Sequence, residues 1–466
     1  MTTLRCCART FLLVLITTSA AEAQDARLLA RVDSVFAQFD HTRSPGCALG
    51  VIEDGRLVIG RGYGMANLEH GIALSSTSVF RIGSTSKQFT AAVMVLLQQE
   101  GMLSLDDDVR KYLPELPEYE RSINIRQLLN HTSGIRDYLT LMSLAGERDD
   151  DWYTDEEVVA MLARQRELSF LPGDEFLYSN SGYFLLSQIV KRVSGKSLRE
   201  YAATRIFAPL GMTNTHFHDD HSEVVLNRAS GYAPDGGGFR VSMTTLDMVG
   251  DGGVFTTVED LAHWDRDFHE PAVGGAEFWR EMLTRGVLTS GDTLPYALGL
   301  GHGEYRGLST VSHSGGFVGF RADMVRFPSE RFTVICLCNV SNANPTRLAR
   351  RVADVLLEDR LAPPEQRPDA GNEGRATPPP EYTLSAAERA EYAGDYYSEE
   401  LDVIYRIRVE NDTLRLAVAA VERTLRAMEK DVLRAGLTLR FTRGENGVNG
   451  FLVDAGRVKN LVFAKR

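Results

Sequence analysis

The stretch RIGSTSKQFT, residues 81–90, places Ser84 three positions before Lys87 at the start of a helical pattern. Across residues 85–102 apolar side chains recur at helical spacing, and Gly101 is a natural end for the helix. Residues three apart share one face of a helix, so the pattern puts the Lys87 amine one turn beyond the Ser84 hydroxyl. Two readings follow. Ser84 caps the helix beside a solvated lysine, or a buried, uncharged Lys87 takes the serine proton and makes Ser84 a nucleophile.

A second segment, LPGDEFLYSNSGYFLL, carries Tyr178 and Asn180 in a loop just before another predicted helix. A phenol beside an ammonium group can act as a base or relay a proton to a leaving group. Asn180 could hold Lys87 and contact a substrate carbonyl. Taken alone, the pair is better explained as a packing aromatic and a helix cap.

A third segment, VSHSGGFVGF, carries His313, Gly315 and Gly316 at the opening of a predicted strand. Two glycines let the backbone approach a ligand closely. On an edge strand, one free N–H group here and that of Ser84 could form an oxyanion hole. A simple bulge before the strand is the alternative.

The order S-x-x-K, Y-x-N, H-x-G resembles the serine β-lactamase and penicillin-binding protein superfamily. The resemblance covers roughly residues 30–360 and points to the AmpC-type β-lactamases, D-aminopeptidases, D-alanyl-D-alanine carboxypeptidases and related esterases. It implies that Ser84 is acylated, that Lys87 is its base, and that Tyr178 protonates the leaving group and activates water. Asn180 would contact substrate, and the N–H groups of Ser84 and Gly316 would form the oxyanion hole.

One further match and one departure refine the resemblance. The turn HTSG at residues 131–134 matches a family turn, which we interpret as structural. His313 stands where penicillin-handling members usually carry lysine. Because a histidine is mostly neutral at pH 7, it lacks the permanent charge that attracts a substrate carboxylate. Histidine here is similar to the D-aminopeptidase-like and esterase-like branches, which argues against efficient β-lactam hydrolysis.

The fold predicted for residues 24–361 is α/β, with one antiparallel sheet flanked by helices. A hairpin at residues 47–67, helices in the middle, two strands at residues 320–340 and a closing helix at residues 345–361 support it. Residues 362–380, rich in proline and charge, predict a linker.

Residues 381–466 alternate with period two between turn signals, which predicts a small all-β barrel. The tail resembles the lipocalin-like barrels of some peptidases in the superfamily. Such a barrel could shape access to the active site or bind a ligand of its own.

The N-terminus predicts a secretory signal over residues 1–23. Positive charge is followed by the apolar run FLLVLITT and a small-x-small cleavage site. The run is too short to span a bilayer, so we expect a periplasmic or secreted protein without a stable membrane anchor. Three cysteines would remain, and Cys47 could pair with Cys336 or Cys338, or with neither.

The composition argues against other functions. A net charge of −12 without a basic block disfavours nucleic acid as a partner. The loop with His216, His218 and His221 could bind a metal, but chance histidines in a polar loop explain it better. We therefore expect no metal and no organic cofactor.

Together these features predict a serine hydrolase that forms an acyl-enzyme through Ser84. A peptidase or amidase acting on small peptides, including D-amino-acid peptides, is favoured over an esterase and a β-lactamase. From another class, a penicillin-binding sensor would acylate without turnover.

Overall fold

The computed structural model describes residues 24–148, 151–363, 382–445 and 447–466. The predicted signal (1–23) and nearly all of the predicted linker lie outside the described residues. The front of the chain has the predicted antiparallel sheet flanked by helices, and the tail is an eight-stranded antiparallel barrel that closes on itself. Among the described residues, no helix is long and apolar enough to cross a membrane.

Helices surround the sheet of the front domain, and one more precedes the barrel. They are α1 (24–35), α2 (Lys87–Gln99), α3 (Ile125–Leu129), α4 (Tyr138–Ala145), α5 (Asp155–Ala163), α6 (Asn180–Ser194), α7 (Leu198–Ala202), α8 (Ala208–Leu210), α9 (Val258–His269), α10 (Gly275–Met282), α11 (Pro345–Leu356) and α12 (Ala386–Tyr392).

The strands divide into those of the front domain and those of the barrel. The first group is β1 (Cys47–Glu53), β2 (Arg56–Tyr63), β3 (Met65–Asn67), β4 (Ile72–Ala73), β5 (Phe80–Arg81), β6 (His216–Phe217), β7 (Tyr232–Asp235), β8 (Gly238–Val241), β9 (Val254–Thr256), β10 (Gly301–Tyr305), β11 (Leu308–Phe317), β12 (Phe320–Phe327) and β13 (Phe332–Cys338). The second is β14 (Gly394–Ser398), β15 (Val403–Glu410), β16 (Thr413–Val418), β17 (Val421–Glu429), β18 (Val432–Arg434), β19 (Thr438–Gly444), β20 (Gly447–Ala455) and β21 (Val458–Lys465).

The main sheet has the order β10-β11-β12-β13-β1-β2 and is covered on both faces. Successive side chains of a strand point to opposite faces. On β1, Leu49 and Val51 therefore join the core that contains residues of α1 and α11, whereas Ala48 and Ile52 join the larger core with α2. Burial on both faces explains why the sequences of the central strands β1 and β13 are almost continuously apolar.

A disulfide joins β1 to β13 within this sheet. Cys47 and Cys338 are directly opposed in the antiparallel ladder and form the bond, and Cys336 remains a buried free thiol. Cys336 and Cys338 share a strand face, as the sequence predicts, with their sulfurs 3.7 Å apart. The strand register therefore settles the pairing that the sequence leaves open.

The barrel is filled by its own side chains. Tyr396, Phe441, Phe451 and Phe463 are buried, and the ring centroids of Tyr396 and Phe451 lie 4.7 Å apart. A lumen packed with aromatic rings disfavours the view that the barrel binds a small ligand inside. Any functional surface of the barrel therefore lies on its outside.

The barrel docks on the loop that leads into α4. Arg136, fully buried, forms an ion pair of 2.8 Å with Glu400 in the turn after β14. Arg136 also donates to the backbone carbonyls of Lys459 and Asn460, at 3.1 and 2.9 Å. The Tyr405 hydroxyl donates to the Leu144 carbonyl at 2.7 Å. These contacts attach the barrel beside the loops that carry the candidate site.

We expect Glu400→Ala to destabilise the protein by about 3–5 kcal/mol, because it removes the carboxylate partner of a buried guanidinium. Urea unfolding followed by circular dichroism measures the change. The neighbouring Glu399→Ala is the matched control: its ion pair with Arg166 is about 70% exposed on both sides, and exposed pairs contribute at most about 1 kcal/mol. Equal, small losses in both variants would contradict a structural role for the buried pair.

Candidate active site

The candidate nucleophile lies where the chain enters the central helix. Ser84 is in a 3₁₀ turn, Gly83–Ser86, and Lys87 is the first residue of α2. Gly83 has a φ of 52°, and a Cβ added there would lie 2.7 Å from the backbone nitrogen of Gly316. Glycine is thus required for the turn to pack against β11. The Ser84 side chain remains partly exposed and lines a cavity of about 140 Å³.

Lys87 is fully buried beneath this cavity. Its Nζ lies 3.2 Å from Ser84 Oγ, 2.9 Å from Asn180 Oδ1 and 2.5 Å from the Asp251 carbonyl oxygen. An uncharged amine would give its two N–H groups to the two carbonyl oxygens and keep its lone pair for the Ser84 proton. The arrangement suits a lysine that activates serine, and it excludes the reading of Lys87 as a solvated cation.

The loop at Asp251 is a part of the site that our sequence reasoning missed. The Gly250 carbonyl accepts from Thr90 Oγ1 at 2.6 Å, which ties the loop to α2. Burial raises the pKa of the Asp251 carboxyl to about 6, and the Tyr138 hydroxyl lies 3.3 Å from it. The available signal was the tripeptide Asp-Gly-Gly before a strand, within a stretch that also fits the superfamily.

Tyr178 lies over the lysine without bonding to the serine. Lys87 Nζ is 4.8 Å from the centre of the Tyr178 ring. The Tyr178 hydroxyl is buried and, among the described residues, has no hydrogen-bond partner. The His131 ring packs against Tyr178 with the centroids 4.1 Å apart. The predicted proton-transfer role therefore depends on a bound substrate or water reaching this hydroxyl, and it stays a prediction.

Asn180 is the first residue of α6, and its side chain is turned toward Lys87 rather than capping the helix. Its backbone N–H donates to Asp137 Oδ2 at 2.7 Å. The predicted pairing of Asn180 with Lys87 is present in the structure.

His313 is buried and held in one tautomer by a chain of hydrogen bonds. The Ser179 N–H donates to His131 Nδ1, so His131 carries its proton on Nε2, 3.3 Å from the Tyr296 hydroxyl. That hydroxyl lies 3.0 Å from His313 Nε2, and His313 Nδ1 donates to the Ser314 carbonyl at 2.6 Å. Sequence reasoning missed Tyr296 and read His131 as part of a structural turn only.

The charge of His313 follows from its surroundings. Burial and the nearby Lys87 lower the pKa of His313 to about 4. Burial, with Lys87 and His313 nearby, also lowers the pKa of His131 well below its usual value. Both imidazoles are therefore neutral at pH 7, so His313 does not supply the fixed positive charge of the lysine that it replaces.

Strand β11 supplies the backbone beside Ser84. The expectation of an edge strand is wrong for β11 as a whole, since it pairs with both β10 and β12. The pairing with β10 stops at Ser312, however, so residues 313–317 extend past that neighbour. A Cβ on Gly315 would lie 2.0 Å from the Ile82 carbonyl oxygen. Gly315 is thus needed for close approach, and Gly316 lines the same cavity as Ser84.

The three histidines of the polar loop do not converge on one point. His216 Nε2 is 3.2 Å from His218 Nδ1, whereas His221 Nδ1 lies 2.8 Å from Asp247. Glu223, which is near His218, is paired with Arg199 at 2.7 Å. Because a guanidinium already neutralises this carboxylate, the cluster is a poor cation site.

Comparison with known proteins agrees with this geometry. A profile of the family described as Beta-lactamase matches residues 32–358. A D-aminopeptidase of Gluconobacter oxydans is 29% identical over 345 residues, which is 72% of this chain and 63% of that protein. Penicillin-binding protein 4* of Bacillus subtilis is 27% identical over 86% of this chain and 91% of its own. The solved octameric penicillin-binding protein homologue from Pyrococcus abyssi superposes with a TM-score of 0.64 at 25% identity, covering 94% of this chain and 99% of that one.

The chain belongs to the Beta-lactamase family, whose model covers residues 32–358 of it. It spans less than two thirds of the length of the first D-aminopeptidases that it matches. The resemblance inferred from the three motifs and the tail is confirmed, and the predicted small barrel is present, with eight strands.

Proposed function

We propose that this protein is a periplasmic or secreted serine peptidase or amidase that cleaves small peptides, including peptides with D-residues. The observation that carries the proposal is the buried Lys87 amine, 3.2 Å from Ser84 Oγ and held by two carbonyl oxygens. The D-aminopeptidase relatives support the choice of peptide substrates. The predicted signal and the disulfide support an oxidising compartment.

In the proposed reaction Lys87 takes the Ser84 proton as Oγ attacks the carbonyl carbon. The N–H groups of Ser84 and Gly316 stabilise the oxygen that becomes negative. The C–N bond breaks as the amine receives a proton through Lys87 and Tyr178. Water then attacks the acyl-enzyme, and Ser84 regains its proton. This path uses only the chain's own residues.

The neutral His313 favours a peptidase or amidase over a β-lactamase. β-Lactams carry a carboxylate, and at this position the chain presents an uncharged imidazole rather than a lysine. An esterase remains the alternative within the same chemistry, because Ser84 and Lys87 would serve both acyl donors.

A substrate panel tests the proposal. D- and L-aminoacyl p-nitroanilides, p-nitrophenyl acetate and a chromogenic cephalosporin are compared by kcat/KM. We expect the D-anilides to exceed both the L-anilides and the cephalosporin. Preference for the cephalosporin, or hydrolysis of the ester alone, would contradict it. Intact mass spectrometry after penicillin treatment tests the alternative that the protein is a penicillin-binding sensor. A persistent adduct without any turnover would indicate such a sensor.

A further inference from the structure

The turn at residues 131–134 does not by itself require the histidine that opens it. His131 has a φ of 59°, in the left-handed region that glycine adopts without steric cost and asparagine adopts readily. Its backbone makes ordinary turn contacts: the N–H donates to the Leu128 carbonyl at 3.3 Å, and the carbonyl accepts from the Leu177 N–H at 3.0 Å. A glycine or an asparagine would serve this turn equally well, so the reason for a histidine is sought in its ring.

The ring of His131 is buried and held at both of its nitrogens. The Ser179 N–H donates to Nδ1 at 3.2 Å, and Nε2 lies 3.3 Å from the hydroxyl of buried Tyr296. Since Nδ1 accepts a hydrogen bond, the proton of the neutral imidazole is on Nε2, directed to the Tyr296 oxygen. The ring therefore cannot rotate without breaking a buried hydrogen bond.

This fixed imidazole packs against the ring of Tyr178. The two ring centroids are 4.1 Å apart, and the ring planes meet at 31°. Two cations also lie near the Tyr178 ring centre: Lys87 Nζ at 4.8 Å, and the guanidinium carbon of Arg457, in the turn between β20 and β21, at 4.6 Å. Lys87 is engaged with Ser84, and the Arg457 side chain is 43% exposed. Of these three neighbours, His131 gives the Tyr178 ring its most rigid support.

The hydroxyl of Tyr178 makes this support important. Among the described residues it has no hydrogen-bond partner, although it is buried. Packing of the ring, rather than a bond to the hydroxyl, thus decides where the phenolic proton lies. A proton donor acts only within about 2.6–3.2 Å of the atom that receives the proton, so a small displacement of the ring is enough to impair the transfer.

We propose that His131 is a positioning residue, whose doubly anchored ring holds the Tyr178 hydroxyl where the leaving group receives its proton. This proposal rests on the part that Tyr178 takes in the proposed function. Ser84 and Lys87 would keep their places without the imidazole, because neither of them bonds to it. Loss of the His131 ring should therefore impair departure of the leaving group and spare the attack by Ser84.

The test measures how the loss of rate depends on the leaving group. Nitrophenolate departs as a stable anion, whereas a more basic phenolate needs a proton as the bond breaks. Phenyl acetates ranging from p-nitro to p-methoxy are mixed with excess full-length protein, and the single-turnover release of the phenol reports acylation. For His131→Asn we expect a loss of about threefold or less with the p-nitrophenyl ester and of about a hundredfold with the p-methoxyphenyl ester, the usual cost of a misplaced group.

Tyr296→Phe removes one anchor of the His131 ring and keeps the ring itself. The loss should again grow with the basicity of the phenol, but reach only about tenfold, as for one hydrogen bond. The bond from Tyr296 to His313 is lost as well, and that loss should lower all the esters alike. The dependence on the phenol, rather than the absolute rate, is thus the measured quantity.

Ser133→Ala is the matched control within the same turn. Ser133 is buried, and its hydroxyl accepts from the Ile135 N–H at 3.3 Å. Its removal loosens the turn and leaves the His131 ring in place, so any loss should be equal across the esters. Equal losses across the series in His131→Asn would assign His131 to the turn alone and overturn the proposal. Unchanged acylation by the p-methoxyphenyl ester in that variant would overturn it too.

The esters separate this proposal from the proposed function. Acylation by phenyl acetates requires Ser84, Lys87 and Tyr178, but it does not require that the protein cleaves peptides or accepts D-residues. A steeper dependence on the phenol in His131→Asn would support the positioning role even if no anilide is cleaved. Substituted anilides of one D-amino acid give the same comparison for the amide reaction. Cleavage of those anilides with equal losses in His131→Asn would overturn the positioning role and leave the proposed function standing.

Discussion

Replacing Ser84 with alanine should lower hydrolysis of every accepted substrate by roughly 10⁵-fold or more, because the variant has no oxygen to acylate. The change removes a single atom that is partly exposed at the cavity, so the fold should be retained. Steady-state kinetics on p-nitrophenyl acetate measures the loss, and thermal unfolding checks the structure. Intact mass after treatment with a fluorophosphonate should show one adduct on the wild type and none on the variant.

Ser86→Ala is the matched control for this experiment. Ser86 lies in the same 3₁₀ turn, but it is fully buried and accepts a hydrogen bond from the Val254 N–H at 3.1 Å. Loss of the Ser86 hydroxyl should lower the free energy of unfolding, and the fluorophosphonate adduct on Ser84 should still form. Labelling that persists in Ser84→Ala, or disappears in Ser86→Ala with the fold intact, would reject Ser84 as the nucleophile.

The parts of this molecule that the sequence predicts well are those encoded locally. The helix that carries Lys87 follows from apolar spacing and a terminal glycine. The hairpin of β1 and β2 and the pair β12 and β13 follow from apolar runs joined at turn residues, and the closed barrel follows from alternation between turn signals. The fold class is confirmed for this reason.

The candidate site is predictable only where a motif carries it. Ser84, Lys87 and Asn180 are brought within hydrogen-bond distance, as the motif order suggests. The Asp251 carbonyl and Tyr296 act through positions outside the three motifs, since any residue offers a carbonyl and tyrosine is common in cores. Their roles become visible only when the loops around residues 250 and 296 pack against α2 and β11.

The docking of the barrel on the front domain is the feature that the sequence predicts least. From the sequence, the segment that contains Arg457 can be identified only as a turn between two strands. Its position over Tyr178 depends on Arg136, Glu400 and the Lys459 carbonyl, which meet across more than 260 residues of sequence. The pairing of Cys47 with Cys338 rather than Cys336 likewise depends on strand register, which face alternation does not specify.

Replacing Lys87 with alanine should slow acylation by about 10²- to 10⁴-fold, the usual contribution of a positioned acid–base group. Ser84 would remain, but among the residues that the structure describes its proton would have no acceptor within hydrogen-bond distance. The change also leaves Asn180 Oδ1 and the Asp251 carbonyl without their donor, so a loss of stability should accompany it. The rate of fluorophosphonate labelling, measured below the unfolding temperature, reports the acylation step alone.

Chemical rescue separates catalysis from structure in this variant. Removal of the buried side chain opens a space below Ser84 that a small primary amine can enter. Methylamine should therefore accelerate Lys87→Ala and not the wild type, and should do so more strongly as the pH rises and the free base increases. Lys111→Ala, which removes an exposed lysine paired with Asp107, should keep full activity without amine. Lys87→Ala that retains activity within tenfold of the wild type would show that another group takes the Ser84 proton.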